Sequence, residues 1–368
     1  MPEGGGNDIS VKQERIRAFL DREDLDALVL GRQDNFAWIT GGGDNRVVTT
    51  TEMGAALAVL TANQKWLVSH TMDGRRLLEE QVCGQGFEPV DLRWHDATLA
   101  DAVLKLTRDL RIGADFPLPG ARQYGAEIVD LHYPLTDVEL ERCRWIGRES
   151  NRILAQVARE LRPGMTEQEI AARLLCDYAL SGMTIDVLIV GTDERISRYR
   201  HPLPTEKRLE RYALLHPAAR RWGLHANVTR LVHFGEPPRL VRAAFDAASR
   251  VSAEVMAMLA PGVRFAEILA RQKSVYEARG YRDEWHCHFQ GGITGYTLAD
   301  PARCLNPEAR AVVRQAYDYF VTVTGAKFEE LSLLTENGVE IASMDSGWPT
   351  RAVETTFDTS QQPDMMVL

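Results

Sequence analysis

The sequence is short of the features that most quickly assign a chain to a class. Its five cysteines, Cys83, Cys143, Cys176, Cys287 and Cys304, are scattered, odd in number and without CxxC spacing. That fits reduced thiols in a cytoplasm better than a disulfide frame or a zinc knuckle. Long apolar runs are missing too: "GAALAVL" and "IDVLIVG" fall far short of the roughly 20 residues that cross a bilayer. The opening "MPEGGGNDISVKQERIRAFL" has no basic region ahead of an apolar stretch, so no secretory signal is expected. Positive charge is in deficit, with 43 Lys and Arg against 52 Asp and Glu, a net charge of -9 and no basic block interleaved with aromatics. Nucleic acid is therefore not an expected partner, nor is a membrane.

What is present is core material for about two domains: 368 residues, of which 45% are apolar and 26% charged. The first part alternates helix and strand signals. "VKQERIRAFLDRED" reads as an amphipathic helix, "LDALVLG" as a buried strand, "AALAVLTANQKWLVSH" as a hairpin, and "ATLADAVLKLTRDLRIGADF" as a helix leading into a strand. At "HYPLTDVELERCRW", Thr136 followed by Glu139 gives a capping-box entry to a long helix. The expected division is an α/β domain over 1–134 and a second domain over 135–368.

The second domain repeats itself. "LRPGMTEQEIAARLLCDYALSG" (161–182) lies without gaps on "LAPGVRFAEILARQKSVYEARG" (259–280), pairing Leu161 with Leu259, Pro163 with Pro261, Gly164 with Gly262, Glu169 with Glu267, Tyr178 with Tyr276 and Gly182 with Gly280. Matches at one offset point to an internal duplication and a pseudo-twofold domain with its cleft between the halves. Ahead of the second copy, "YALLHPAAR" and "GLHANVTRLVHF" read as two strands joined at Trp222 and Gly223, carrying His216 and Asn227 eleven positions apart.

These features, with "RYRHPLPTEKRLE", "NVTRLVHFGEPP", "HFQGGITGY" and "EELSLLTENG", resemble the pita-bread family of creatinase, prolidase and aminopeptidase P. The resemblance implies a creatinase-like α/β N-terminal domain followed by a pseudo-twofold pita-bread domain, an α/β and α+β combination. It also implies a homodimer, in which Phe36 and Trp38 of "DNFAWITGG" match a segment that leans over the partner's site in dimeric relatives.

The metallopeptidases of that family hold two divalent cations with two Asp, one His and two Glu. On this sequence the two Asp fall on His216 and Asn227, and the His on His288 or Gln290. The first Glu falls near Phe320 and the second on Glu329, so one carboxylate of four remains. Two divalent ions about 3.7 Å apart repel by roughly 18 kcal/mol at an effective dielectric of about 20. One carboxylate does not offset that, so no metal or other cofactor is expected.

Creatinase works without metal, and its working histidine resembles His201. An imidazole both takes and gives a proton near neutral pH. The expectation is a metal-independent hydrolase or lyase acting on a C–N bond of a small amino-acid-derived substrate, with His201, His288 and Glu329 catalytic. His216, Asn227, His286, Gln290, Arg200 and Phe320 are the expected substrate contacts.

Some readings stay open. His286 and His288 on one strand face would enter the cleft together, or one packs on Trp285 while the other meets solvent. Cys287, alternating away from them, is expected to be a buried thiol. Alternation also turns one of Glu329 and Glu330 inward and one outward, the resemblance choosing Glu329. His216, His288 and Glu329 could form a two-His-one-carboxylate set for a single metal. A non-catalytic peptidase-like binding protein is the remaining alternative.

Overall fold

The computed structural model describes residues 5–368. They divide into two compact units, the first running to Val138 and including residues 222–224, the second covering 139–221 and 225–368.

In the first unit the helices α1 (Gly5–Glu23), α2 (Gln33–Ile39), α3 (Thr71–Arg76), α4 (Leu99–Leu106) and α5 (Ala126–Val129) accompany strands β1 (Ala27–Arg32), β2 (Met53–Leu60), β3 (Lys65–His70), β4 (Glu88–Leu92), β5 (Ile112–Ala114) and β6 (Arg122–Gln123). The sheet order is β4-β3-β2-β1-β5-β6, with β2 antiparallel to both neighbours and the outer pairs parallel. β1 is central, and its "ALVLG" is buried on both faces, as an unbroken apolar run requires. Val29, Val59, Val68 and Val103 sit in one of its cores. Phe36 and Trp38 are fully buried. His132 is as well, its Nε2 at 2.9 Å from Asn35 Oδ1.

The long helix expected after Thr136 is α6 (Asp137–Glu160), followed by α7 (Glu167–Leu180), β7 (Thr184–Thr192), α8 (Glu194–Arg198), β8 (Tyr212–Arg221), β9 (Leu224–Asn227) and β10 (Arg230–His233). The second copy supplies α9 (Arg239–Met258), α10 (Phe265–Ala278), β11 (Gly292–Thr294), α11 (Pro301–Leu305) and β12 (Gln315–Asp318). Then come β13 (Val321–Val323), β14 (Ala326–Phe328), β15 (Leu331–Thr335), β16 (Gly338–Ile341), β17 (Thr350–Glu354), β18 (Thr359–Pro363) and β19 (Met366–Val367). One sheet runs β19-β10-β8-β7 with β9 also on β8, a second β11-β12-β15-β16, and β13-β14 and β17-β18 form two-stranded sheets.

The two copies agree in backbone detail. Gly164 and Gly262 take φ of 96° and 86°, and Gly182 and Gly280 take 69° and 83°. The Gly164 N–H donates to the Leu209 carbonyl at 2.7 Å, and the Gly262 N–H to the Ala311 carbonyl at 2.7 Å. Arg208 donates to the Gly164 carbonyl at 2.7 Å and Arg310 to that of Gly262 at 2.9 Å. Glu169 and Glu267 each reach back to the backbone N–H of the residue capping their helix, Thr166 and Arg264.

The copies differ where side chains do separate jobs. Glu167, fully buried, accepts hydrogen bonds from Thr192, Arg195 and Thr205, whereas the equivalent residue in the other copy is Phe265, also buried.

Candidate active site

The strand carrying His216 also carries Pro217, which has no N–H to give a neighbour. Beside this pair the partner strand is interrupted: β9 ends at Asn227 and β10 begins at Arg230. The freed backbone groups turn to the other half of the unit. The Asn227 N–H donates to the Asp318 carboxyl at 3.0 Å, and the Thr229 N–H to the Glu329 carbonyl at 3.0 Å. Instead of one continuous strand after the Trp222–Gly223 turn, there are two short ones with the site at their break.

His216 is buried, its Nδ1 2.9 Å from Thr229 Oγ1 and 3.5 Å from Glu329 Oε2. The other oxygen of Glu329 meets the ammonium of Lys327, a residue only 3% exposed. Lys327 and Glu329 are two positions apart, so an extended backbone puts both on one face. Lys327 is the principal group missed by the sequence reading. Asp318 is the second: fully buried, it stands at the end of β12 opposite Gly292 and Leu331. The tight Gly291 turn before β11 keeps it there, since a Cβ on Gly291 would come within 2.2 Å of the Asp318 carbonyl oxygen.

The count of one surviving carboxylate is thus corrected to two buried acids and one buried base. Burial and then the nearby Glu329 push the Asp318 carboxyl well above the usual range, favouring its protonated form. Burial also raises Glu329, against the pull of Lys327. Burial, then the Lys327 charge, holds His216 well below its ordinary value, so its imidazole is neutral.

Glu330 overturns the expected in-and-out alternation. Residues 329 and 330 lie between β14 and β15 rather than within a strand, and both side chains are buried. Glu330 pairs with the buried guanidinium of Arg230, which also donates to Asn151 Oδ1 at 2.7 Å and to the Ser343 carbonyl at 2.8 Å. This cluster is structural and separate from the Lys327–Glu329 pair.

His201 sits on the loop after α8, and the structure brings it to His288, with the Nε2 atoms 2.9 Å apart. His288 Nδ1 lies 2.5 Å from the Phe289 carbonyl, which can only accept. The network therefore assigns the His288 proton to Nδ1, and its Nε2 accepts from the Nε2–H of His201. Nδ1 of His201 is left as the unprotonated, basic nitrogen. Burial, then Lys327, lowers both histidines, His288 to about 4. The loop is held at its ends: Glu167 accepts from the N–H groups of Thr192 and Thr205 at 2.9 and 3.0 Å, and Asp193 from those of Arg211 and Tyr212 at 2.9 Å each.

The other expected contacts divide. Asn227 is 2% exposed, and neither atom of its side-chain amide has a partner among the described residues. Phe320 packs its ring against His288 and Phe289 at 6.1 and 5.9 Å. Arg200 is engaged by Glu284 and donates to Thr324 Oγ1 at 3.1 Å, so its guanidinium is already neutralised. Gln290 is folded on its own segment, donating to the His288 carbonyl at 2.9 Å and accepting from Tyr276 at 3.2 Å. His286 does not share a face with His288: a 3-10 turn over Glu284–Cys287 replaces the expected strand and leaves His286 exposed against the Trp285 ring at 4.0 Å. The same turn exposes the Cys287 thiol, which is not buried.

Among the described residues no three His, Cys, Asp or Glu side chains are grouped to hold a metal ion. The donor chemistry agrees. A lysine ammonium already pairs with Glu329, Asp318 accepts a backbone hydrogen bond in a setting that favours protonation, and Asn227 offers a neutral amide. This set does not fit a dinuclear cation site.

Comparison with known proteins places these observations. Residues 141–325 match the model of metallopeptidase family M24, and residues 12–124 that of the creatinase/prolidase N-terminal domain. An uncharacterized peptidase of Staphylococcus saprophyticus is 20% identical over 259 residues, 68% of this chain and 74% of that protein. Among solved structures, the Xaa-Pro dipeptidase from Bacillus anthracis superposes with a TM-score of 0.75 at 16% identity, over 98% of this chain and 100% of that one. Prolidase from Thermococcus sibiricus gives 0.75 at 12% identity over the full length of both. No helix among the described residues is long and apolar enough to cross a membrane. With a creatinase/prolidase N-terminal domain ahead of a duplicated pita-bread unit, the chain belongs to metallopeptidase family M24.

Proposed function

We propose that this protein is a hydrolase that cleaves a C–N bond of a small amino-acid-derived substrate without a metal, with His201 as general acid and base. The observation that carries the reading is the Lys327 ammonium on Glu329, whose charge adds to the larger effect of burial in lowering the basicity of His216, His201 and His288 together. A fixed cation thus occupies the neighbourhood in which the family's peptidases use mobile ones.

In this reading water is the nucleophile. His201 Nδ1 takes its proton as the oxygen attacks the carbonyl or amidine carbon, and returns it to the departing nitrogen as the C–N bond breaks. Lys327 and the unpartnered Asn227 amide face the charge that develops on the substrate, a role in which one preorganised donor contributes about 10²–10³ in rate. His288 fixes the tautomer of His201 and so positions it. The reading includes a cytoplasmic homodimer, checked by sedimentation at twice the chain mass.

The test is hydrolysis of Xaa-Pro dipeptides and guanidino acids by purified protein with and without EDTA. Turnover is expected to survive the chelator, and His201→Ala to lower kcat about 10²–10⁴-fold with the fold unchanged. Because the base must be neutral and its pKa is depressed, the acid limb of the pH–rate profile should have its midpoint below the ordinary 6.5. Activity abolished by EDTA and restored by divalent cations, or no turnover on the whole panel, overturns the proposal.

A further inference from the structure

Beside His288, the second half of the duplicated unit leaves a cavity of about 120 Å³. Its walls are largely apolar: Phe265, Ile268 and Leu269 come from α10, Trp285 and Phe289 from the neighbouring segment, and the exposed Leu305 stands at the rim. Two wall groups do not suit an empty hydrocarbon gap. Gln272 is 2% exposed with Nε2 unpartnered, and Tyr319 is 3% exposed with its hydroxyl unpartnered, among the described residues.

Buried amide and hydroxyl groups are almost always hydrogen-bonded. Two orphans lining one cavity mark a place for a ligand atom that bonds both. Gln290, the other amide on the wall, has no such vacancy, being committed to Tyr276 and two carbonyls. No aspartate, glutamate, lysine or arginine lines the cavity, so a charged group entering it would lose its hydration without compensation. In size, a cavity of about 150 Å³ is known to take a benzene ring, so a slightly smaller one open at its rim suits a single six-membered ring.

We propose that this cavity is the specificity pocket for a phenol-sized side chain of the substrate, whose hydroxyl accepts from Gln272 Nε2 and donates to the Tyr319 oxygen. The bond to be cleaved then lies at the neighbouring His201–His288 pair. That last placement rests on the proposed function above; occupancy of the pocket does not.

The probe is p-cresol, compared with toluene, on the full-length chain, by calorimetry and by soaking crystals. p-Cresol is expected in the cavity and at least about tenfold tighter than toluene, because a site built for a hydroxyl rejects the analogue lacking it. Gln272→Leu and Tyr319→Phe, both close to the original volume, should each erase most of that preference while leaving toluene binding nearly unchanged. Ordered water alone in the cavity at millimolar p-cresol, or an unaltered preference in both variants, overturns the proposal. His201→Ala separates the two readings. It should bind p-cresol as the parent does; a parent protein that binds p-cresol but turns over no substrate sinks only the proposed function, and a parent that turns over substrate with its cavity empty sinks only the pocket.

Discussion

Lys327 shows how one side chain redirects a site. Its ammonium is buried with Glu329, and each charge is tolerable in the interior because the other is there. Replacing Lys327 with Met strands the carboxylate and should cost about 3–5 kcal/mol in urea unfolding. Adding Glu329→Gln removes the stranded charge, so the double variant should recover much of the loss; equal stability of single and double variants would contradict the pairing. The sequence contained part of this. Glu329 was found through its family motif, while the lysine two positions earlier carried only the alternation of an extended backbone, which says that two side chains share a face but not what that face meets. Asp318 left still less trace, since its burial depends on β11 and β15 closing around it.

Among the elements, the duplicated Pro-Gly turns were the most legible, because residues that set backbone shape leave their mark in sequence at a constant spacing. Gly164 and Gly262 adopt φ of 96° and 86°, and a Cβ at either would meet nothing within 4 Å. The expense of an alanine there is purely conformational, about 1–2 kcal/mol. Gly164→Ala and Gly262→Ala should therefore lower stability by similar amounts in thermal or chemical unfolding, and a large difference would break the equivalence of the two turns. Two local features were not legible. The 3-10 turn at Glu284–Cys287 replaced an expected strand, and β9–β10 split at Val228–Thr229, where Asp318 and Glu329, far away in sequence, take the N–H groups of Asn227 and Thr229.

For the whole molecule, the buried histidines tie stability to pH. Burial pushes the fully buried His132 of the first unit down to about 4 from its ordinary 6.5. As pH falls, the unfolded chain takes up this proton first, so the contribution is complete above pH 6.5 and is lost between there and pH 4. Asp115, Asp318 and Glu330 are displaced upward by burial and act in the opposite sense, so the histidine term has to be isolated by difference. Between pH 7 and pH 4.5 the parent protein should lose about 2–3 kcal/mol more stability than His132→Gln, measured by denaturant titration at each pH. Glu167 has a further consequence. With a single acid fastening both shoulders of the segment that bears His201, that segment acquires its working shape during folding. A ligand therefore meets a surface already set and surrenders none of its affinity to immobilising a slack loop.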